Sequence, residues 1–340
     1  MSLIVLTTIH GYEHAGIQNL VRTTAAEGVH LLIIGDAKTP SYPKNLAATV
    51  HFLGLEEQYK LPLESPKIFP QNHYGRKNIG YLVASSQGPD WISETDDDNY
   101  FYPSFWQQPQ GTLELIQPTQ SRFLNTFSLM GIDDLWPRGI PLSEIRSSIH
   151  WRKVGAGGQS DVVCYQGLTD GDPDVDAIAR ELFQTKTRFP SRSFLLESTS
   201  FAPTNSQMTQ WKSKVTLPVM YLPFTVSWRV SDIWRGYIAQ RFFSLHGHLV
   251  CYRGGVGSQK RNVHDLKIDF AEEVEVHTKT HLLLEVLQDI VILDAKDFIR
   301  EIYLRLCSIG LVKQPELEYL EAWLKDLETI SSRNLNLLAP

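Results

Sequence analysis

The sequence predicts an α/β fold: an open parallel sheet flanked by helices, followed by a helical C-terminal region. Three observations carry this. Short apolar runs of strand length recur in the first hundred residues, with helical spacing between them. Each run gives way to Thr, Gly or Asp, the residues that close strands and open loops. From about His281 the apolar positions follow a helical period almost to the end.

Leu3 to Leu6 is the first strand and ends in Thr7-Thr8. Ala15 to Glu27 has helical spacing and stops at Gly28, a C-cap residue. His30 to Ile34 is a second β-rich run, ending in Gly35-Asp36. Strand, helix, strand in this order predicts a right-handed βαβ unit. Pro40 to Pro43 forms a turn and Pro62 to Pro70 a Pro-rich loop. Arg76 to Gln87 is the next helix, with Ile79, Leu82 and Val83 on one face and Gly88-Pro89 as its stop. Trp91-Ile92-Ser93 enters a third core strand. LLLEVLQDIVILDAKDFIREIYLRL and ELEYLEAWLKDLETI form the helical layer, whose apolar stripe reads as core.

Composition narrows the function classes. With 340 residues, 42% hydrophobic and 21% charged, the chain is an ordinary globular protein with a substantial core. A net charge of -6 argues against a general nucleic-acid binder. No apolar run is long enough to span a bilayer. MSLIVLTTIHG lacks a basic leader and a cleavage site and reads as a strand. Cys164, Cys251 and Cys307 are far apart and form no CxxC pair, which argues against a zinc ribbon or disulfide framework and for a reducing, cytoplasmic setting. There is no HExxH, GxSxG or Walker-type loop.

The chemistry gathers in WISETDDDNYF, residues 91 to 101, where Glu94, Asp96, Asp97 and Asp98 fall within five positions. Ligands bind at the carboxyl ends of parallel strands, where this cluster and Asp36 both lie. Asp96-x-Asp98 can hold a hard divalent cation, Mn²⁺ or Mg²⁺, together with a substrate diphosphate. Taken alone, the triplet fits a solvated acidic turn or a helix cap equally well. Arg76 and Lys77 open the preceding helix against its macrodipole, a placement that suits a docked anion or two solvated side chains.

A strand ending in Thr-Thr, a second ending in Asp, an RKNxG helix and a strand running into DDD resemble a GT-A glycosyltransferase, with its Rossmann-like nucleotide-sugar-binding sheet. More narrowly, VLTTI (5–9), LLIIGDAKTP (31–40), NHYGRKNIGYLVA (72–84) and GLTDGDPDVDA (167–177) resemble the STELLO-type family of glycosyltransferases. RVSDIWRGYIAQR (229–241) is similar to that family and to the DDMWAG segment of the plant UDP-arabinose mutases, the reversibly glycosylated polypeptides. The resemblance implies a GT-A-like region over 1–275, with a nucleotide-binding half (1–110) and an acceptor half (111–275), then a helical region (276–340). It places Thr7 and Thr8 under the nucleotide, Asp36 at the base or ribose, and Arg76, Lys77 and Asn78 at the ribose or diphosphate. Asp96 and Asp97 then belong to the nucleotide-sugar site, with Asp96 and Asp98 on the metal.

Asp232 stands among arginines and tryptophans at the predicted start of a helix, which it can N-cap. The resemblance adds a general-base role toward the acceptor hydroxyl. Trp228 and Trp234 are candidates for sugar stacking or for the core. HGHLVCYRGGVGSQKRNVHDL reads as a glycine-rich basic loop, either plainly flexible or a lid that brings Lys260 and Arg261 over the diphosphate. His264 is structural or an additional metal ligand. In GDPDVDA, Asp-Pro-Asp reads first as a helix cap.

The expectation is therefore a cytoplasmic, metal-dependent glycosyltransferase. It would take a nucleotide sugar, UDP-linked in the first instance, and a glycan, lipid-linked or small-molecule acceptor. Nucleic acid is not an expected partner; peripheral membrane association and homo-oligomerisation stay open. A nucleotide-sugar pyranose/furanose mutase and a catalytically silent interaction protein with the same fold are the alternatives.

Overall fold

The computed structural model describes residues 2–262 and 264–338. The strands are β1 (Leu3–Thr7), β2 (His30–Ile34), β3 (Val50–Leu53), β4 (Trp91–Thr95), β5 (Asn99–Phe101) and β6 (Leu113–Pro118). They continue with β7 (Trp151–Gly157), β8 (Val162–Gly171), β9 (Ser193–Leu196), β10 (Thr209–Lys212) and β11 (Leu249–Gln259). The longer helices are α1 (Ala15–Ala26), α2 (Lys77–Ser85), α3 (Trp228–Leu245), α4 (Leu266–Gln288), α5 (Ala295–Ser308) and α6 (Pro315–Arg333).

One 11-stranded sheet runs through both halves in the order β3-β2-β1-β4-β10-β8-β11-β9-β6-β7, with β5 paired to β11. Strands β3, β2, β1 and β4 are parallel neighbours. Their sequences explain it: Leu3 to Leu6 and Leu31 to Ile34 have no solvent contact, as expected for strands covered on both faces. Beyond β4 the sheet becomes mixed, with β10 antiparallel to β4 and to β8. This mixed α/β architecture, a large sheet flanked by helices with further helices at the C-terminus, agrees with a GT-A-like fold. Strand β3 carried no clear sequence signal, having only four residues and a partly exposed face.

Helix α2 packs tightly on β1. A Cβ at Gly80 would sit 2.4 Å from Val5 Cγ1, so the glycine of RKNxG sets how closely helix meets strand.

Two expectations need correction. The glycine-rich segment at 254–257 is not a lid. It is part of β11, paired with β8, β9 and β5. Its glycines serve close packing: a Cβ at Gly257 would lie 2.3 Å from Met208 Cε. The C-terminal helical region starts at Leu266 rather than near His281, so a boundary at 275/276 falls inside α4. The first turns of α4 bury Asp269, Glu273 and His277 instead of apolar side chains, which hides the helical stripe. The later helices are also stitched to the sheet domain. Glu316 of α6 accepts from the Phe224 and Thr225 amides and from the Tyr221 hydroxyl. Asp326 accepts from the amides of Glu64 and Ser65. None of the described helices is long and apolar enough to cross a membrane.

A buried ion pair ties the sheet to α3. Glu94 on β4 and Arg235 on α3 have no solvent contact and meet at 2.9 Å. Trp211 Nε1 donates to the same Glu94 oxygen at 2.6 Å, and the Tyr81 hydroxyl donates to the other. Removing one partner strands a buried charge. Arg235→Ala should therefore cost about 3–5 kcal/mol of unfolding free energy, read from the denaturant midpoint. The Glu94→Gln/Arg235→Met double variant should recover part of it. A single-variant cost under about 1 kcal/mol would show the pair to be dispensable.

Candidate functional site

Strand β1 has β2 on one side and β4 on the other, so chain connections diverge at its C-terminal end and leave a crevice there. A cleft of about 890 Å³ occupies this position, the size of a nucleotide or cofactor site. Thr7, Thr8, Asp36, Lys38 and the acidic loop Asp96–Asp98 line it from the parallel strands. Arg138 and Asp174 line it from the loops after β6 and β8, Trp228, Arg229 and Asp232 from α3, and Arg261 and His264 from the segment after β11.

The ends of β1 and β2 are fixed to each other. Thr39 Oγ1 donates to the Thr8 carbonyl at 2.6 Å and accepts from the Asp36 amide at 2.8 Å. Asp36 in turn accepts from the Ala37 and His73 amides.

Each carboxylate of the acidic loop has a different environment. Asp96 Oδ1 meets Lys77 Nζ at 3.0 Å and the Tyr74 hydroxyl at 2.9 Å. Burial raises its pKa, with Lys77 opposing. Asp97 accepts from Thr8 Oγ1. Asp98 accepts from Gln259 Nε2 at 3.0 Å through Oδ2, but its buried Oδ1 has no partner among the described residues. Burial, then the nearby Asp96 charge, pushes the Asp98 carboxyl up to about 7.

That orphaned oxygen tests the expected cation. No group of three or more His, Cys, Asp or Glu among the described residues is close enough to cage a metal. A hard cation completed by water and phosphate needs only one or two carboxylates, and Asp98 beside Asp96 meets that requirement. His264 also lines the cleft, with Nδ1 3.1 Å from Asp269 Oδ1. Burial and then Arg261 lower its pKa, which favours the neutral imidazole that metal ligation requires.

The RKN motif faces inward. Lys77 Nζ, with no solvent contact, bonds the Tyr74 hydroxyl, the Thr95 and Ser206 carbonyls and Asp96. Arg76 binds Gln58 and the Phe69 carbonyl, and Asn78 clamps both the amide and the carbonyl of Leu222. None of the three lines the cleft, so the expected contacts of Arg76, Lys77 and Asn78 with ribose or diphosphate are corrected: Arg76 is taken up by the Gln58 side chain and the Phe69 carbonyl, Lys77 by Asp96 and two carbonyls, and Asn78 by the Leu222 backbone. Lys260 is likewise off the cleft, over the Tyr100 ring at 4.8 Å, whereas Arg261 reaches it.

Asp232 does line the cleft, but Ser227 caps α3 and Asp232 sits inside its first turns. Its two oxygens accept from Arg138 at 3.1 and 3.0 Å. Arg138 makes a second fork to Asp174 at 2.9 and 2.8 Å. Burial alone would raise the Asp174 carboxyl, yet the guanidinium holds it well below the usual range. Ser206 Oγ donates to Asp232 and also contacts the Tyr74 hydroxyl, linking the two acidic groups. Trp234 is core, its indole donating to Thr280, while Trp228 is 39% exposed at the cleft. In GDPDVDA the cap expected of Asp-Pro-Asp (172–174) falls instead to Asp176, which caps the short helix Ala177–Leu182. Asp172 pairs with Arg180. Asp174 is the member that reaches the cleft. Arg138, Tyr74 and Ser206 escaped the sequence reading. Tyr74 lay within the quoted NHYGRKNIG segment, but Arg138 pairs with residues 36 and 94 positions away, a separation that leaves no local signal.

The Asp98 environment sets a pH dependence. Its folded pKa lies above its ordinary value, so the fold favours the protonated form. That contribution is full below the ordinary carboxylate pKa near 3.8 and is lost as pH rises through about 7. With chelator present, Asp98→Asn should raise Tm at about pH 8 by roughly 2–4 °C, and the gain should shrink toward about pH 5. Differential scanning calorimetry checks this, and a gain independent of pH would contradict it.

Comparison with known proteins adds what the chain is similar to. The family model described as STELLO glycosyltransferases matches residues 229–339, from α3 through the C-terminal helices. The chain is 25% identical over 363 residues to the probable glycosyltransferase STELLO1 of Arabidopsis thaliana, covering 98% of this chain and 45% of that protein. It is 26% identical over 365 residues to the probable glycosyltransferase STELLO2 of the same plant, covering 99% and 46%. The chain thus spans a little under half the length of these relatives. The STELLO resemblance carried by the sequence motifs is therefore a similarity along nearly the whole chain, with a match to the STELLO glycosyltransferase family model over its C-terminal third.

Proposed function

We propose that this chain is a glycosyltransferase whose cleft binds a nucleoside diphosphate sugar, UDP-linked in the first instance, and presents it to an acceptor hydroxyl. The single observation that carries the reading is the position of Asp96–Asp98. They lie in a nucleotide-sized cleft at the sheet's switch point, with one buried Asp98 oxygen left unpartnered among the described residues. The similarity to proteins named probable glycosyltransferases supports it.

In this reading Thr7, Thr8 and Asp36 hold the nucleoside, and Arg261 meets the diphosphate. Lys77 holds Asp96 in place. Asp96 and Asp98 would hold Mn²⁺ or Mg²⁺, which when bound offsets the negative charge that develops on the diphosphate, while His264 lines the cleft paired with Asp269. Trp228 offers an apolar face to the sugar. Transfer breaks the bond between the anomeric carbon and the diphosphate oxygen, which keeps the electron pair. The acceptor oxygen bonds the anomeric carbon, and its proton passes to Asp232. Arg138 orients that carboxylate and balances the Asp174 charge beside it.

Calorimetric binding of UDP, GDP, CDP and ADP, each with Mn²⁺ and with chelator, tests the donor site. One diphosphate should bind, and only with metal. Asp98→Asn should weaken that binding by at least about tenfold, or about 1.4 kcal/mol. If no nucleotide binds the wild-type protein in either condition, the transferase reading fails and a silent interaction protein takes its place.

A further inference from the structure

A second groove lies beside the cleft. Its volume is about 570 Å³, and Lys186, Arg188, Lys260 and Arg261 line it, with Thr187 and Gln259 between them. Gln259 and Arg261 also line the main cleft, so the two cavities share a wall. The groove is framed by backbone. Gly171 at the end of β8 pairs with Gln259 of β11 on one side and bridges Thr187 on the other. The Gly171–Thr187 bridge has both hydrogen bonds, at 2.8 and 3.1 Å. Side chains alternate along an extended segment, so Lys186 and Arg188 share a face on either side of Thr187. Lys260 is anchored from the other edge, its amide donating to the Asp98 carbonyl at 2.9 Å.

The charge of this groove opposes that of the molecule. The chain carries a net -6, yet four cations here face one lining carboxylate, Asp172, which Arg180 already neutralises. The Arg188 side chain is 88% exposed and approaches Asp170 no closer than 3.7 Å. Arg261 already reaches Asp269 at 3.4 Å, which leaves Lys186, Arg188 and Lys260 as the cations whose closeness an anion would relieve. The cations come from two separate segments around a volume far larger than one phosphate, which suits an extended anion over a single ion.

We propose that this groove is an acceptor subsite for an acidic oligosaccharide, whose carboxylates or sulfates face Lys186, Arg188 and Lys260 while its end to be extended enters the cleft past Gln259 and Arg261. The word acceptor rests on the transferase reading. The binding itself is measured without turnover.

The test is calorimetry with a short oligouronate and a neutral oligoglucoside of equal length, at about 0.05 M and about 0.5 M salt. The oligouronate should bind at least about tenfold tighter, and the difference should vanish at high salt. The Lys186→Glu/Arg188→Glu variant changes only exposed side chains and should keep the wild-type Tm. It should lose oligouronate affinity by about tenfold or more and keep its binding of UDP with Mn²⁺. Equal affinity for the two oligosaccharides, or an unaffected variant, would overturn the proposal. So would displacement of the oligouronate by inorganic diphosphate at similar concentration, or loss of UDP binding in the variant, since either would make the groove part of the donor site. Oligouronate binding without any nucleotide binding would support the groove and remove only the donor reading.

Discussion

Glu94 and Arg235 meet without solvent contact, on the strand that carries the acidic loop and the helix that carries Asp232. Glu94 is two residues before Asp96, and Arg235 is three residues after Asp232. The pair therefore fixes the distance between the two acidic groups of the cleft. Trp211 and Tyr81 complete the hydrogen bonds to Glu94, so the carboxylate is satisfied on both oxygens. Buried ion pairs add little net stability compared with apolar packing, but they tolerate few alternative arrangements. Here that geometry has a use: it joins β4 to α3 at a defined point beside the cleft. The Tyr74–Ser206 contact runs a second, polar link between the same two groups nearer the cleft.

The acidic run is tolerated because its members are not equivalent. Glu94 is neutralised by Arg235 in the core. Asp96 is neutralised by Lys77, which is itself saturated by carbonyls and a hydroxyl. Asp97 has Thr8. Within this run, and among the described residues, Asp98 is the member with a buried unpartnered oxygen and a strongly raised pKa. A buried acceptor left bare costs free energy unless something else satisfies it, and such defects collect at functional positions. The least comfortable residue of the loop is thus the one that points to its chemistry.

The parallel core was legible because β1 and β2 are dense apolar runs with clear stops, and β4 opens on Trp91-Ile92 directly after the Gly88-Pro89 break. The location of the acidic loop followed from the general rule for parallel sheets. What sequence could not supply was direction. Arg76, Lys77 and Asn78 looked like ligand groups at a helix start, yet their partners are Gln58, Phe69, Asp96 and Leu222. Nothing local distinguishes an inward cation from an outward one. Glycine misled in the same way at 254–257, where it marks crowding in the sheet rather than freedom in a loop. Helix α4 was shortened because its buried face begins with Asp269 and Glu273, which answer Arg229. A stripe of paired charges is as much a core as a stripe of leucines, but it has no hydrophobic period.

With the motif cations turned inward, the cleft has an electrostatic problem for the ligand proposed for it. Six aspartates line it against four lysine and arginine side chains. Of those four, Arg138 is committed to Asp174 and Asp232, and Arg229 to Glu273. Lys38 and Arg261 are left to meet a diphosphate, and Arg261 already lies 3.4 Å from Asp269. A diphosphate brings at least two more negative charges into a region of reduced dielectric, where like charges interact strongly. Protonating Asp98 would remove one charge, and the site would then weaken as pH rises through its pKa. A divalent cation removes two and turns the bare oxygen into a ligand. The inward turn of the RKN motif, which seemed to subtract from the site, is thus what makes an added cation the consistent way for this cleft to hold a nucleotide.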